Sequence, residues 1–305
     1  MVEMKSVSVI IRAYNAEKYI RHAINSVLSQ DYDGPIEVIV CYDEGTRDNT
    51  LSVIKDFSGY HHETRIVNIY RHTHLTPFRS LQKCGLANSK GDYIMILDYD
   101  NIMPINYVST MVKNAECSKA QFLFSNMLLI DENGNVIGER RPKKGFTLKD
   151  MILGNLIDGN TIMLQKDYAK KINNEFNGVL NKRFFDDIFE DWLIALLALK
   201  DCKSYHVEDA YILYRIHEEN ITAGSKDLYK TLDNLKRDIS TLLAFYELRG
   251  DRLSKEELMA LQLSLIKRYT WSMRSTIKYR RELNLLKSYS LLMLILEKAF
   301  EKLVV

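Results

Sequence analysis

An apolar run that ends abruptly in two acidic residues constrains the fold of this chain most strongly. Residues 93–97 carry only aromatic or aliphatic side chains, without the polar alternation of a strand exposed on one face. Such a run is typical of a strand that is covered on both faces. Asn101 and Pro104 end the element, and this places Asp98 and Asp100 at its carboxyl end. In open α/β sheets, ligands bind at that end of the strands.

The spacing of Asp98 and Asp100 allows both carboxylates to face one site, because residues i and i+2 of an extended segment point the same way. Two carboxylates held together repel each other unless a cation or a donor-rich ligand lies between them. A hard divalent ion that also binds substrate phosphates meets this need. Most Asp-x-Asp pairs are solvated loop acids, so the pair predicts a metal site only together with the strand before it and the surrounding motifs.

Short strands alternate with helical patterns over the first hundred residues. The order β-α-β-α-β-α-β, with short connections, predicts an α/β fold with a doubly wound, mixed and mostly parallel sheet. The predicted strands are 7–11, 36–41, 65–70 and 93–97. Three helices are predicted between them: the first begins at residue 16, and the others cover 50–57 and 78–89.

The second half of the chain continues this pattern and then becomes helical. The predicted elements are helices 106–116, 166–172 and 185–200, strands 121–130 and 202–207, a hairpin turn at 131–135 and a polar loop at 214–220. Residues 146–162 show no clear period and are interpreted as a loop. From Ser225 the period is helical, with further helices at 254–277 and 281–303. We therefore predict an α/β domain over 1–224 and a C-terminal helical subdomain over 225–305.

Composition narrows the class of protein. The net charge is +2, so no overall field favours nucleic acid as a partner. Four cysteines without a Cys-x-x-Cys spacing are predicted to be reduced core residues, not disulfides or zinc ligands. No apolar run approaches the roughly 18 residues of a transmembrane helix, and no signal peptide is expected. A cytoplasmic protein is predicted.

Five motifs occur in order along residues 7–220. They are the strand 7–11 with Tyr14-Asn15, the acidic loop 43–50, the strand 91–97 with Asp98-Tyr99-Asp100, Glu190-Asp191-Trp192, and Tyr214-Arg215-Ile216-His217. In this order they resemble the inverting family 2 glycosyltransferases of the GT-A fold. The resemblance implies a catalytic domain that moves a sugar from a nucleotide-diphosphate sugar to a hydroxyl of a glycan or lipid-linked acceptor, in polysaccharide or glycoconjugate synthesis.

The resemblance also implies a donor site. Tyr14, Asp43 and Glu44 would hold the base and ribose, and Asp98 would contact the ribose or a metal-bound water. A UDP-sugar is the preferred donor. A GDP-sugar stays open, because the family usually has Asp where this chain has the longer Glu44. Three cations are candidate phosphate contacts, although each is more commonly a solvated surface cation: Arg71, Arg79 and Lys83.

The same resemblance assigns the chemistry. Asp191 is the expected general base, and Asp100 would bind Mn²⁺ or Mg²⁺. His217 would complete the metal site or touch a phosphate, although alone it is more often a surface histidine. An acidic first turn of a helix is the structural alternative for Glu190 and Asp191. The supporting residues are Glu190, Trp192 and Arg215.

Other function classes fit less well. A sugar nucleotidyltransferase would have a glycine-rich phosphate loop after the first strand, and a dehydrogenase would have Gly-x-Gly-x-x-Gly; neither is present. A non-catalytic glycan- or nucleotide-sugar-binding scaffold of the same fold remains the alternative, but it would not need three clustered acids.

The C-terminal segment 267–303 contains a basic stretch with interleaved aromatic residues, followed by the apolar run 291–296. This pattern fits contact with an anionic membrane surface, which would make the protein peripheral at the inner face of the membrane. The alternative, which the pattern slightly favours, is a helical hairpin that packs on itself or across a homodimer.

Overall fold

The computed structural model describes residues 4–73, 75–178, 185–217 and 228–278. Within these ranges, nine strands form one mixed sheet in the order β3-β4-β2-β1-β5-β8-β6-β7, with β9 also paired to β6. The strands are β1 Val7–Ala13, β2 Ile36–Asp43, β3 His61–His62, β4 Arg65–His72, β5 Tyr93–Asp98, β6 Phe122–Ile130, β7 Val136–Arg140, β8 Ile162–Gln165 and β9 Ser204–Arg215.

The four central strands β4, β2, β1 and β5 are parallel, so their carboxyl ends share one edge of the sheet. The register places Arg12 of β1 beside Asp98 of β5 and Cys41 of β2. The antiparallel strand β8 then joins β5 to β6. The predicted mixed α/β sheet is confirmed, and the buried run 93–97 lies at its centre.

Helices pack against the sheet, and two long helices follow the last strand in the chain. They are α1 Ile20–Leu28, α2 Thr50–Lys55, α3 Pro77–Ser80, which continues into the π-helical turn Leu81–Leu86, α4 Tyr107–Ser118, α5 Leu148–Leu153, α6 Lys166–Gly178, α7 Glu190–Asp201, α8 Leu228–Arg249 and α9 Lys255–Lys278. Two 3-10 turns are Gly159–Thr161 and Gly250–Arg252.

Three boundaries differ from those predicted. Helix α1 begins at Ile20 and not at residue 16, because Asn15 takes a left-handed conformation (φ 46°) and accepts a hydrogen bond from the Arg47 amide. Helix α7 begins at Glu190 and not at 185, which puts Glu190 and Asp191 in its first turn. The stretch 146–162, interpreted as a loop, contains α5 and the turn Gly159–Thr161, both too short to show a period.

The prediction of four reduced cysteines is wrong for two of them. Cys41 on β2 and Cys84 on the π-helical turn form a disulfide, with their Cα atoms 6.0 Å apart. Both are buried, as predicted, but their pairing depends on how α3 packs over the sheet. Cys117 and Cys202 are free, and Cys117 is exposed.

The C-terminal helices share a hydrophobic core with the α/β domain. Residues of α8 and α9 lie in the same cluster as Trp192 and the apolar residues of α7. Those residues are Leu235, Ile239, Leu242, Ala244, Phe245, Leu261 and Leu265. The predicted boundary after residue 224 and the predicted helix 281–303 lie outside the described residues.

Phe245→Ala is expected to destabilise the whole protein and not only its C-terminal part. The side chain is fully buried in the shared cluster, and truncation of such a residue costs about 3–5 kcal/mol of unfolding free energy. Thermal unfolding followed by circular dichroism would show one lowered transition. Met259→Ala on α9, at a side chain that is 66% exposed, should change stability little. Two transitions, of which only one shifts, would instead support an independent helical subdomain.

Among the described helices, none is both long and apolar enough to cross a membrane.

Candidate active site

Arg12 connects the acidic pair of β5 to the start of α7. Its Nη2 donates to Oδ1 of Asp98 at 2.9 Å, and its Nη1 pairs with Oε1 of Glu190, which is 178 residues away along the chain. Burial alone would lower the pKa of Arg12, but the charges of Glu190 and Asp98 more than offset this and raise it. The Asp98-Tyr99-Asp100 and Glu190-Asp191 motifs therefore lie at one site.

The segment 155–161 forms another wall of this site. Asn160 is buried, accepts a hydrogen bond from the Asp98 amide at 2.6 Å and donates to its Oδ2 at 2.9 Å. The side-chain Nδ2 of Asn160 also donates to Oδ1 of Asp158 at 2.8 Å. Burial raises the pKa of Asp158, and the negative charge of Asp98 adds to this. Asn160 thus fixes the carboxylate of Asp98 in one orientation.

Asp191, the predicted base, is half-buried and faces this segment. Its Oδ2 accepts a hydrogen bond from Asn155 at 3.0 Å. A Cβ at Gly159 would lie 3.1 Å from the Cβ of Asp191, so a larger residue there would crowd the side chain of Asp191. Burial first, and then the charges of Glu190 and Asp158, raise the pKa of Asp191 to about 8. A carboxyl group with such a pKa can accept and release a proton near neutral pH.

Asp100 and His217 meet at the other side of Asp98. Nε2 of His217 lies 2.9 Å from Oδ2 of Asp100, and both side chains are buried. Burial and the charge of Asp98 raise the pKa of Asp100 to about 6, although His217 acts against this. The ring of His217 packs against Tyr19 at 5.3 Å between centroids. His217 is therefore not the exposed histidine that its type alone would suggest.

Arg215 supports this side of the site through the backbone. Its Nε donates to the carbonyl of Asp100 at 3.0 Å, and its Nη1 donates to the carbonyl of Glu132 at 2.8 Å. The guanidinium also lies 4.8 Å from the ring centroid of Tyr19. Arg215 thus ties β9 to the loop that carries Asp100.

The donor set available for a divalent ion consists of the Asp100 carboxylate and the His217 imidazole. The part of the chain that the structure describes contains no group of three or more His, Cys, Asp or Glu side chains arranged to hold an ion. Mg²⁺ is nevertheless commonly held by one or two carboxylates together with substrate phosphates. Burial and the nearby charge of Asp98 raise the pKa of Asp100, so a bound cation would stabilise the ionised form of this carboxylate.

The residues predicted to bind the base and ribose lie at the carboxyl ends of β1 and β2. Tyr14 is 51% exposed just beyond β1. Asp43 is buried and accepts a hydrogen bond from the Gly45 amide at 2.7 Å. Glu44 pairs with Arg71 at 2.6 Å, so this predicted phosphate contact already has a carboxylate partner. Lys83, the other predicted phosphate contact, is exposed on the π-helical turn.

Helices α5 and α9 hold Trp192, the third residue of its motif. Its Nε1 donates to the carbonyl of Met151 at 2.7 Å, and the guanidinium of Arg268 lies 5.0 Å from its ring. Trp192 therefore anchors the first turn of α7, which carries Asp191.

The residues just before α7 are held by α3 and α8. Arg79 donates to Asp186 at 2.8 Å, and Arg237 of α8 lies 2.9 Å from Asp187. The Phe189 amide donates to Thr241 at 2.9 Å. The C-terminal helices thus contribute directly to the position of the predicted base.

The sequence interpretation missed four polar residues of this site. Arg12 had no predicted role, and the other three lie in the segment interpreted as a loop. A charged residue that directly follows an apolar strand was the available signal for Arg12. The three are Asn155, Asp158 and Asn160.

The model of the family described as "Glycosyl transferase family 2" matches residues 8–189 of this chain. The chain belongs to glycosyl transferase family 2. Family 2 enzymes transfer sugars, and this chain is accordingly a glycosyltransferase. The match covers the acidic pair of β5 but ends just before Glu190.

Two of the similar proteins act on lipid-linked substrates by name. The UDP-Glc:alpha-D-GlcNAc-diphosphoundecaprenol beta-1,3-glucosyltransferase WfaP of Escherichia coli is 27% identical over 234 residues, which cover 76% of this chain and 86% of the relative. The GalNAc(5)-diNAcBac-PP-undecaprenol beta-1,3-glucosyltransferase of Campylobacter jejuni is 26% identical, over 74% of this chain and 71% of the relative.

Solved structures confirm the predicted GT-A fold of this family 2 enzyme. S. aureus TarS 1-349 in complex with UDP-GlcNAc superposes with a TM-score of 0.67 at 18% identity, over 93% of this chain and 78% of that one. The mannosyltransferase PcManGT from Pyrobaculum calidifontis, in complex with GDP-Man and Mn²⁺, has a TM-score of 0.54 at 14% identity, over 99% and 88%.

Proposed function

We propose that this glycosyltransferase moves a hexosyl or N-acetylhexosaminyl group from a UDP-sugar to a hydroxyl of a lipid-linked glycan, with inversion at the anomeric carbon. The observation that carries the proposal is the position of Asp191, a carboxyl group of raised pKa that directly follows Glu190, the residue that Arg12 bridges to Asp98. The names of the two relatives, which contain undecaprenol-linked diphosphates, support the acceptor class. UDP-Glc in one name favours a UDP-sugar, while GDP-Man in PcManGT keeps a GDP-sugar as the second candidate.

In the proposed reaction, Asp191 accepts the proton of the acceptor hydroxyl while that oxygen attacks the anomeric carbon. The new bond forms on the face opposite the nucleotide, and the bond to the diphosphate breaks. One such displacement inverts the anomeric centre and needs no covalent enzyme intermediate. Asn155 keeps the carboxylate of Asp191 oriented, and Asn160 does the same for Asp98.

We also propose that Asp100 and His217 hold Mn²⁺ or Mg²⁺. A bound ion would supply Lewis-acid stabilisation of the charge on the departing diphosphate. Tyr14, Asp43 and Glu44 would bind the base and ribose, and Lys83 stays a candidate phosphate contact. Since Arg71 is paired with Glu44, we propose that it orients this carboxylate.

A peripheral position at the inner face of the membrane is part of the proposal, because a lipid-linked acceptor would lie there. Contact through 267–303 and a homodimer through the C-terminal helices remain predictions, since the segment after residue 278 lies outside the described residues. Flotation with anionic liposomes would test the membrane contact, and its absence in the full chain would contradict it.

The rate of transfer is expected to rise with pH. Because the pKa of Asp191 is about 8, most of this carboxyl is protonated below about pH 7 and cannot act as a base. The rate at saturating donor should increase between about pH 7 and 9 and then level off. A rate that is constant over this range would contradict the assignment of Asp191.

The stability of the protein should show the opposite trend. Between its usual pKa of 3.8 and about 8, Asp191 holds a proton in the folded state that the unfolded chain has released. Its contribution to the free energy of unfolding therefore falls as pH rises through this window. The melting temperatures of the wild type and of Asp191→Asn at several pH values check this, because the variant should lose less stability toward high pH.

A thermal-shift panel tests the donor class. UDP-, GDP-, CDP- and dTDP-sugars are added to the full chain, with Mn²⁺ or with EDTA. UDP-sugars with Mn²⁺ should give the largest increase in melting temperature, because ligands that bind the folded state stabilise it. If only GDP-sugars raise the melting temperature, the donor is a GDP-sugar. If the increases are equal in Mn²⁺ and in EDTA, donor binding does not depend on a divalent ion.

A further inference from the structure

Arg12 touches both acidic motifs of the active site. Its side chain is 19% exposed, and its two terminal nitrogens reach different carboxylates, Asp98 of β5 and Glu190 of α7. The Nη1 group also donates to the carbonyl of Pro77 at 3.3 Å, which adds the start of α3 to the same junction. One guanidinium thus contacts three separate elements that surround the site.

The surroundings of Arg12 are rich in negative charge. Burial is the main cause of the raised pKa values of Asp100, Asp158 and Asp191, but the charge of Asp98 adds to the first two and that of Glu190 to the third, so these acids lie close enough to interact. A nucleotide diphosphate would bring further negative charge. Asp98 and Glu190 would repel it if they had no cationic partner.

We propose that Arg12 is a positioning residue of the transfer reaction. It holds Asp98, on the donor side, and Glu190, beside the base, at a fixed distance, and it neutralises them so that the donor diphosphate can approach. This inference rests on the proposed donor site and on Asp191 as the base. A planar guanidinium suits this role because it can pair with two carboxylates at once, which the single ammonium of lysine does less well.

The test measures the affinity of UDP in the presence of Mn²⁺ by isothermal titration calorimetry, using the full chain. Arg12→Met keeps the bulk of the side chain but removes the charge, and Arg12→Lys keeps the charge. Arg21→Gln is the matched control, because Arg21 of α1 forms an exposed ion pair with Asp56, the residue that follows α2. Glu190→Gln is combined with Arg12→Met to detect coupling between the two charges.

We expect Arg12→Met to weaken UDP binding by about tenfold or more, since it leaves two carboxylates unpaired near the diphosphate. Arg12→Lys should restore part of the affinity, and Arg21→Gln should bind as the wild type does. Adding Glu190→Gln to Arg12→Met should recover affinity, because it removes one unpaired carboxylate. A residue that only fills space would not show this recovery.

Two results would overturn the proposal: wild-type affinity in Arg12→Met, or a loss that is unchanged by Glu190→Gln. If the wild type itself binds no UDP, the proposed donor is wrong. Thermal unfolding then tests separately whether Arg12 bridges Asp98 and Glu190. Arg12→Met should lower the melting temperature, and Glu190→Gln should raise it again. An unchanged melting temperature in Arg12→Met would refute the charge bridge.

Discussion

Asp191→Asn is expected to reduce sugar transfer by roughly 10³-fold, within the range that general base catalysis contributes. The amide keeps the size and the hydrogen-bonding position of the carboxyl group but cannot accept the proton of the acceptor hydroxyl. The contact with Asn155 should survive through an amide flip, so the site should keep its shape. Steady-state rates with a UDP-sugar and a diphosphate-linked GlcNAc lipid would measure the loss.

The affinity for UDP should change little in this variant, because Asp191 lies on the acceptor side of the proposed reaction. Asp167→Asn is the matched control. Asp167 is also acidic and in the first turn of its helix, α6, but it is exposed. Its replacement removes the same favourable interaction with a helix start and should leave the rate near that of the wild type. Normal turnover by Asp191→Asn would show that another group is the base.

Asp100→Ala is expected to abolish the part of UDP binding that depends on a divalent ion, by about 10²-fold or more at saturating Mn²⁺. The substitution removes the carboxylate that, with His217, makes up the proposed donor set. Titration of UDP in Mn²⁺ and in EDTA would separate the ion-dependent part of UDP binding from the ion-independent part.

In EDTA, Asp100→Ala and the wild type should bind UDP with similar, weak affinity. Asp33→Ala is the control, because Asp33 is exposed and precedes β2, at the opposite end of the parallel strands. An Asp100→Ala variant that still gains affinity from Mn²⁺ would place the ion elsewhere. A wild type that binds UDP equally well in EDTA would remove the metal from the proposal.

Much of the fold follows from local patterns in the sequence. The apolar run of β5 and the alternation of strands and helices predicted the parallel centre of the sheet. The same run predicted the positions of Asp98 and Asp100 at its carboxyl end. The apolar stripe of α8 likewise predicted a long helix. These features could be predicted because hydrophobic periodicity is a property of neighbouring residues.

The short elements were missed for the converse reason. Helix α5 has six residues and the turn Gly159–Thr161 has three, so neither completes enough turns to show a period. Asn155 and Asp158 lie between these two elements and Asn160 lies in the turn, so all three stand in a segment that had no predicted structure. As a result, the contacts that orient Asp98 and Asp191 were not foreseen.

The sequence by itself determined the fold class, the family and four of the clustered acids, namely Asp98, Asp100, Glu190 and Asp191. Only the tertiary structure decided that Arg12 joins Asp98 to Glu190, that Cys41 pairs with Cys84, and that α8 holds the residues before Asp191. Each of these contacts joins residues far apart in the chain. Their formation depends on how whole elements pack, and a local pattern carries no record of that packing.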